Sequence, residues 1–225
     1  MTNSVQQRFL NDIKNHSISI VLDQGLNRHI HCSKGSSDQH FDIITYKGGL
    51  LYRGDMGTYV FERLDDMFKF FRTDGGNINP YYWSEKLQAV DRSCGYEGFS
   101  WNKFKEAVQH DLDNHCETLD DQEKIDSLRD AVESELTQCE QDEYDSVQMI
   151  RNFEHEGFEF TDFWEHSTTE YKFHYLWACY AIVWAIQQYD LVKISRTDCF
   201  TSLKIKQFLM RICSDLKKWA TGDKK

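Results

Sequence analysis

The sequence predicts an α+β fold: an N-terminal antiparallel β-meander of about four to five strands, then a mostly helical layer with one fully buried helix. Two changes of pattern carry this expectation. Residues 17–63 hold short alternating runs broken by glycine turns, and from Leu64 onward apolar residues recur at three- and four-residue spacing. A third observation supports it: one proline in 225 residues leaves the helices unbroken and offers no Pro-rich linker.

Each element follows from local chemistry. Val5, Phe9, Leu10 and Ile13 share one face of a short first helix. SISIVLD from Ser17 is β-branched and alternating, so it predicts a strand, and the chain turns at Gln24-Gly25. Runs beginning at Asn27, His40, Leu50 and Thr58 predict further strands. The turns between them are too short for anything but antiparallel pairing. Asp65 is placed to N-cap a helix through Met67 and Phe71. Pro80 is placed to open a helix as far as Asp91, and Ser100 to cap another carrying Trp101, Phe104, Val108 and Leu112. Ile125, Leu128, Val132 and Leu136 define the next helix. Tyr144, Val147, Ile150 and Phe153 define one more, closed by Gly157. Ser167 and Glu170 fit a capping box before the most apolar helix. There, Tyr175 to Ile186 is apolar or aromatic throughout, yet too short for the ~20 residues of a membrane span. Residues 1–192 are read as a single domain, its sheet part near 16–63 and its helical part near 64–192. Residues 193–225 are read as a basic amphipathic helix, docked or arm-like, and a candidate for homo-oligomerisation.

The charge is uneven. The net charge of −11 includes 21 Asp and Glu against three Lys and Arg in residues 106–170, and nine Lys and Arg against three Asp in residues 193–225. Such an acidic segment repels nucleic acid and attracts basic surfaces. Seven scattered cysteines without a C-x-x-C pair, behind an N-terminus lacking a signal-peptide core, fit a reducing compartment with free thiols. No cofactor and no metal is expected from the spacing of ligands.

No motif rises to a catalytic signature, so the candidates are surfaces. Glu117, Asp120, Asp121, Glu123, Asp126, Asp130, Glu133 and Glu135 lie in the acidic segment, where carboxylates along helices can imitate the charge of nucleic acid. The bland alternative is a solvated helix face. Trp164, in an irregular aromatic stretch, is the tryptophan expected at an interface; the others are expected in the core or on apolar helix stripes. A second candidate lies on the sheet. His29 and His31 share a face, with Asp42 and Asp55 on or between neighbouring strands, and this group would suit a nucleotide or nucleic-acid site. Gly54-Asp55-Met56-Gly57 is either a ligand-approaching loop or a plain turn within the meander.

The stretch HFDIITYKGGLLYRGDMGTYVFERLDDMFKFFRTD (His40–Asp74) resembles a segment of an uncharacterised family of tailed-phage and prophage accessory proteins. INPYYWSEKLQAVDR from Ile78 and FWEHSTTEYKFHYLWACYAIVWAIQQYD from Phe163 are similar to later segments of it, although Tyr46-Lys47 stands where the family has Trp-Pro. The resemblance implies an accessory protein of the host bacterial cytoplasm and assigns no site residues. The expected function is inhibition of a host defence or nucleic-acid-processing complex by stoichiometric binding, without catalysis and without a membrane. The alternative is an enzyme or sequestering protein acting on a nucleotide or nucleic acid through the sheet face.

Overall fold

The computed structural model describes residues 2–197, so the expected basic helix at Leu203–Trp219 lies outside the described residues. In chain order the helices are α1 (Thr2–Ile13), α2 (Met67–Phe71), α3 (Pro80–Ser84), α4 (Trp101–Cys116), α5 (Gln122–Val132), α6 (Glu143–Asn152) and α7 (Phe173–Thr197). The strands are β1 (Ser17–Gln24), β2 (Asn27–Ser33), β3 (Phe41–Tyr46), β4 (Gly49–Gly54), β5 (Gly57–Glu62), β6 (Leu87–Ala89), β7 (Glu97–Phe99) and β8 (Thr169–Tyr171). The fold is α+β. The chain groups into two compact units along a line other than the sheet and helical parts. The first joins the residues up to Tyr96 with those from Tyr171 on, and the second is Glu97–Glu170.

In the first unit, β1 to β6 form one antiparallel meander in sequence order. Two-residue turns join β3 to β4 and β4 to β5; Gly48, the second residue of the first turn, and Gly57, which follows the second turn as the first residue of β5, both have positive φ, open to glycine. The sixth strand was not expected. Helix α3 stops at Ser84 instead of running to Asp91, and Leu87 and Ala89 then pair with Phe61 and Val60 of β5. Every second side chain of the central strands points inward: Ile30, Cys32, Phe41, Ile43, Leu50, Tyr52, Tyr59 and Phe61 are all buried. They meet α7, whose residues Tyr175 to Ile186 are buried without exception. Trp177 stands edge-on to Phe41 at 5.6 Å and to Phe9 of α1 at 5.0 Å, and its indole N–H donates to Asp12. Such edge-to-face pairs add about 0.5–1.5 kcal/mol each beyond area burial. No helix of the described residues is long and apolar enough to cross a membrane.

Two caps differ from the sequence reading. Asp66, not Asp65, caps α2, because its carboxylate accepts both the Phe68 N–H and the Arg28 guanidinium of β2. Asp65 instead lies 3.5 Å from Lys47. Ser167 and Glu170 do not form a capping box. Thr169–Tyr171 is β8, paired with β7, and α7 starts at Phe173.

The second unit has its own core. Phe104, Val108, Leu112 and Cys116 of α4 pack with Leu128 and Val132 of α5, Leu136 of the π-turn Glu133–Thr137, Ile150 of α6, and Phe153 and Phe158. The Ser100 hydroxyl accepts the Lys103 N–H and caps α4, as expected. In α6 the buried positions are Ser146 and Ile150, so Tyr144 and Val147 are exposed and do not join the expected stripe. The cause is register: capped by Asp142, this 10-residue helix turns those two side chains outward. It ends at Asn152, and Gly157 lies in the following His155–Phe158 turn at positive φ.

Candidate functional site

The acidic segment is held on the second unit's own scaffold. Of its 21 carboxylates, all but Asp111, Asp113 and Glu170 are exposed. Every expected acidic residue lies at this surface. Glu117 is the C-cap of α4, Asp121 is the N-cap of α5 and accepts the Glu123 N–H, and Asp120 lies in the loop between them. Glu133 and Glu135 belong to the π-turn. On α5, Glu123, Asp126, Asp130 and, one residue beyond it, Glu133 recur at three- and four-residue spacing. They form one stripe opposite the stripe of Ile125, Leu128 and Val132. Arg129 is turned away to Asp113 at 2.8 Å, an interaction that, behind the Gln109 amide bond, holds the Asp113 carboxyl below its ordinary range. Among the described residues none of the four stripe carboxylates forms an ion pair. Each like-charged pair at this spacing costs a helix about 0.2–0.5 kcal/mol. Trp164 is 78% exposed on the turn Phe163–Glu165 of the same unit. Trp83, Trp177 and Trp184 are buried.

On the sheet, the structure brings together part of the second candidate. Ser19, His31, Asp42, Arg53 and Thr58 form one cross-strand row on the face opposite the core. Asp42 Oδ1 accepts from His31 Nδ1 at 3.0 Å and, diagonally, from His29 Nε2 at 2.9 Å, while Arg53 approaches Oδ2 at 3.4 Å. Burial pushes the Asp42 carboxyl upward, but the two histidine hydrogen bonds outweigh it and hold the group below its ordinary range. Asp55 is engaged separately. It sits in the β4–β5 turn, where its carboxylate accepts the Gln39 N–H and its own N–H donates to the His40 carbonyl. Gly54 is needed because a Cβ there would fall 2.2 Å from the His40 oxygen. Gly54-Asp55-Met56-Gly57 is thus a turn tied to the start of β3.

A third group was not legible in the sequence. His110 and Asp111 are adjacent on α4, and His166 caps the turn Phe163–Glu165. Asp111 Oδ1 lies 2.7 Å from His166 Nε2 and 3.3 Å from His110 Nδ1. These donor atoms all fall within 4.8 Å of one another, the arrangement a metal ion needs. The only local signal was His110-Asp111 beside Asn114; His166 is 55 residues away.

The comparisons with known proteins give no match: no family model, curated protein or solved structure is similar to this chain.

Proposed function

We propose that this chain is a non-catalytic binding protein. It presents the acidic stripe of its second unit to the basic surface of a protein partner, in the manner of a nucleic-acid mimic. The observation that supports the reading is the exposed stripe Glu123, Asp126, Asp130 and Glu133, which forms no ion pair among the described residues and is carried by a unit with its own core. The partner class follows from that charge: a protein with a nucleic-acid-binding groove. The phage resemblance makes it a bacterial defence or nucleic-acid-processing complex, blocked by occupation of its groove.

The test is a pull-down from bacterial lysate with the full chain and with a variant in which Glu123→Gln, Asp126→Asn, Asp130→Asn and Glu133→Gln are combined. Asp130→Asn and Glu133→Gln relieve like-charge repulsion at the C-terminal end of α5, whereas Glu123→Gln gives up a favourable first-turn carboxylate, so the fold of the variant is checked by circular dichroism before its binding is compared. The expected result is one stoichiometric partner, released by the variant and by salt once the Debye length falls to about 3 Å near 1 M. A partner retained equally by the variant, or no stoichiometric partner, would refute the reading.

A further inference from the structure

The carboxylate of Asp111 is more closely engaged than a surface acid of this unit normally is. Its side chain is 20% exposed, and that of His166 28%. The His166 ring lies against the Phe163 ring at 5.5 Å and meets the His110 ring edge-on at 5.4 Å. Asp111 and His166 are thus half-buried and held by their neighbours before any ion arrives, while His110, 63% exposed, reaches them from the open side through its ring contact with His166.

Hydrogen bonding accounts for only part of the cluster. His110 Nδ1 is approached by Asp111 Oδ1 at 3.3 Å and by the Asn114 amide nitrogen at 3.2 Å. One nitrogen serves one of these partners at a time. Protonated, it donates to Asp111 and opposes the amide N–H; unprotonated, it accepts from Asn114 and turns a lone pair toward a carboxylate. A cation between the donor atoms satisfies the Nδ1 lone pair and the carboxylate together. Two ligands each ~2.0–2.1 Å from a tetrahedral zinc are about 3.3 Å apart; the His110–Asp111 pair already stands at 3.3 Å, and the 2.7 Å Asp111–His166 hydrogen bond opens to admit the ion.

We propose that His110, Asp111 and His166 bind one divalent transition-metal ion, of the zinc class, within the second unit. Two imidazoles and one carboxylate select such an ion over calcium or magnesium, which prefer all-oxygen sites. The surrounding segment, with 21 Asp and Glu against three Lys and Arg, raises the local concentration of cations. Three protein ligands leave a position open, as at zinc sites that take water or an outside donor. Asp111 also borders a cleft of about 460 Å³ lined by Asn114, His115, Phe158 and Phe160, through which such a donor can approach. The ion clips the return segment at His166 to α4, so its binding stabilises the unit by mass action.

The experiment is calorimetric titration of the metal-stripped full chain with zinc, beside the variants His110→Gln, His166→Gln, Cys139→Ser and His40→Gln. Cobalt(II) spectra are recorded in parallel. Cys139 is an exposed thiol and the obvious competing ligand. The expected result is one ion per chain, with affinity falling at least about tenfold in His110→Gln and His166→Gln, since even outer-shell changes cost 10–100-fold. Affinity is unchanged in Cys139→Ser and His40→Gln, and the cobalt form shows no thiolate charge-transfer band. No uptake by the wild type, wild-type affinity in both histidine variants, or a thiolate band would overturn the proposal. If a histidine variant fails to fold, Asp111→Asn and His31→Gln are titrated as well: loss in the first and wild-type affinity in the second support the site, and the reverse overturns it.

Discussion

The two units handle carboxylates in opposite ways. In the first, several acids are tied into the structure: Asp12 accepts from Trp177, Asp23 from Tyr189 and Lys193, Asp42 from His29 and His31, Asp66 from Arg28, and Asp190 from Nε and Nη2 of Arg72. In the second, Asp111 and Asp113 are engaged by His166 and Arg129, but Glu123, Asp126, Asp130 and Glu133 face water and form no ion pair among the described residues. Both units have apolar cores, so the difference does not come from a need to bury surface. A carboxylate that is engaged organises its neighbours, whereas one beside like charges raises the energy of its helix.

The largest test of this contrast concerns the core that the first unit's acids surround. Trp177→Ala should lower unfolding free energy by about 3–5 kcal/mol, measured by urea denaturation, because it removes a fully buried side chain and its edge-to-face partners. A smaller effect is expected at Asp42. Asp42→Ala should cost about 1.5–3 kcal/mol, the range for charge-assisted hydrogen bonds left unmade. Because the Asp42 carboxyl is held below its ordinary value in the fold, its contribution is complete above the unfolded-state value of about 3.9 and is lost as pH falls through the lower folded value. Wild type and Asp42→Ala should therefore converge in stability at strongly acid pH; parallel curves would show that the hydrogen bonds are not what Asp42 supplies. The smallest effect should have the opposite sign. Asp130→Asn should raise the stability of the second unit by a few tenths of a kcal/mol at low salt, and by less as salt is added. Destabilisation there would give the stripe a structural role and erase the contrast.

Much of the fold was legible because its signals are local. The strand beginning at Asn27, the cap at Ser100 and the turn at Gly48 follow from alternation and turn chemistry within a few residues. The buried run from Tyr175 to Ile186 could be read because it is apolar all round. What escaped depends on distant partners. Leu87–Ala89 is a strand only because β5 offers an open edge, and Thr169–Tyr171 only because Glu97–Phe99 pairs with it. Asp66 displaces Asp65 as a cap because Arg28 reaches it from another strand. The acidic stripe was visible as composition. The His110, Asp111 and His166 group was not, since nothing in spacing joins residues 55 positions apart.

The order in which the chain is made gives the second unit's insertion a further meaning. The sheet's inner face is complete once β5 and β6 exist, but its cover, α7, is encoded only after Glu170. At the usual 5–20 residues per second, the roughly 88 residues from the end of β6 to Trp177 take about 4–18 s to emerge. For that interval Phe41 lacks Trp177 and Trp184, and Tyr59 lacks Tyr175, while the contiguous second unit can already close on itself. Translation speed across residues 97–170 thus sets how long an aromatic sheet stands open on the ribosome, and synonymous changes there should alter the yield of folded chain without altering one amino acid.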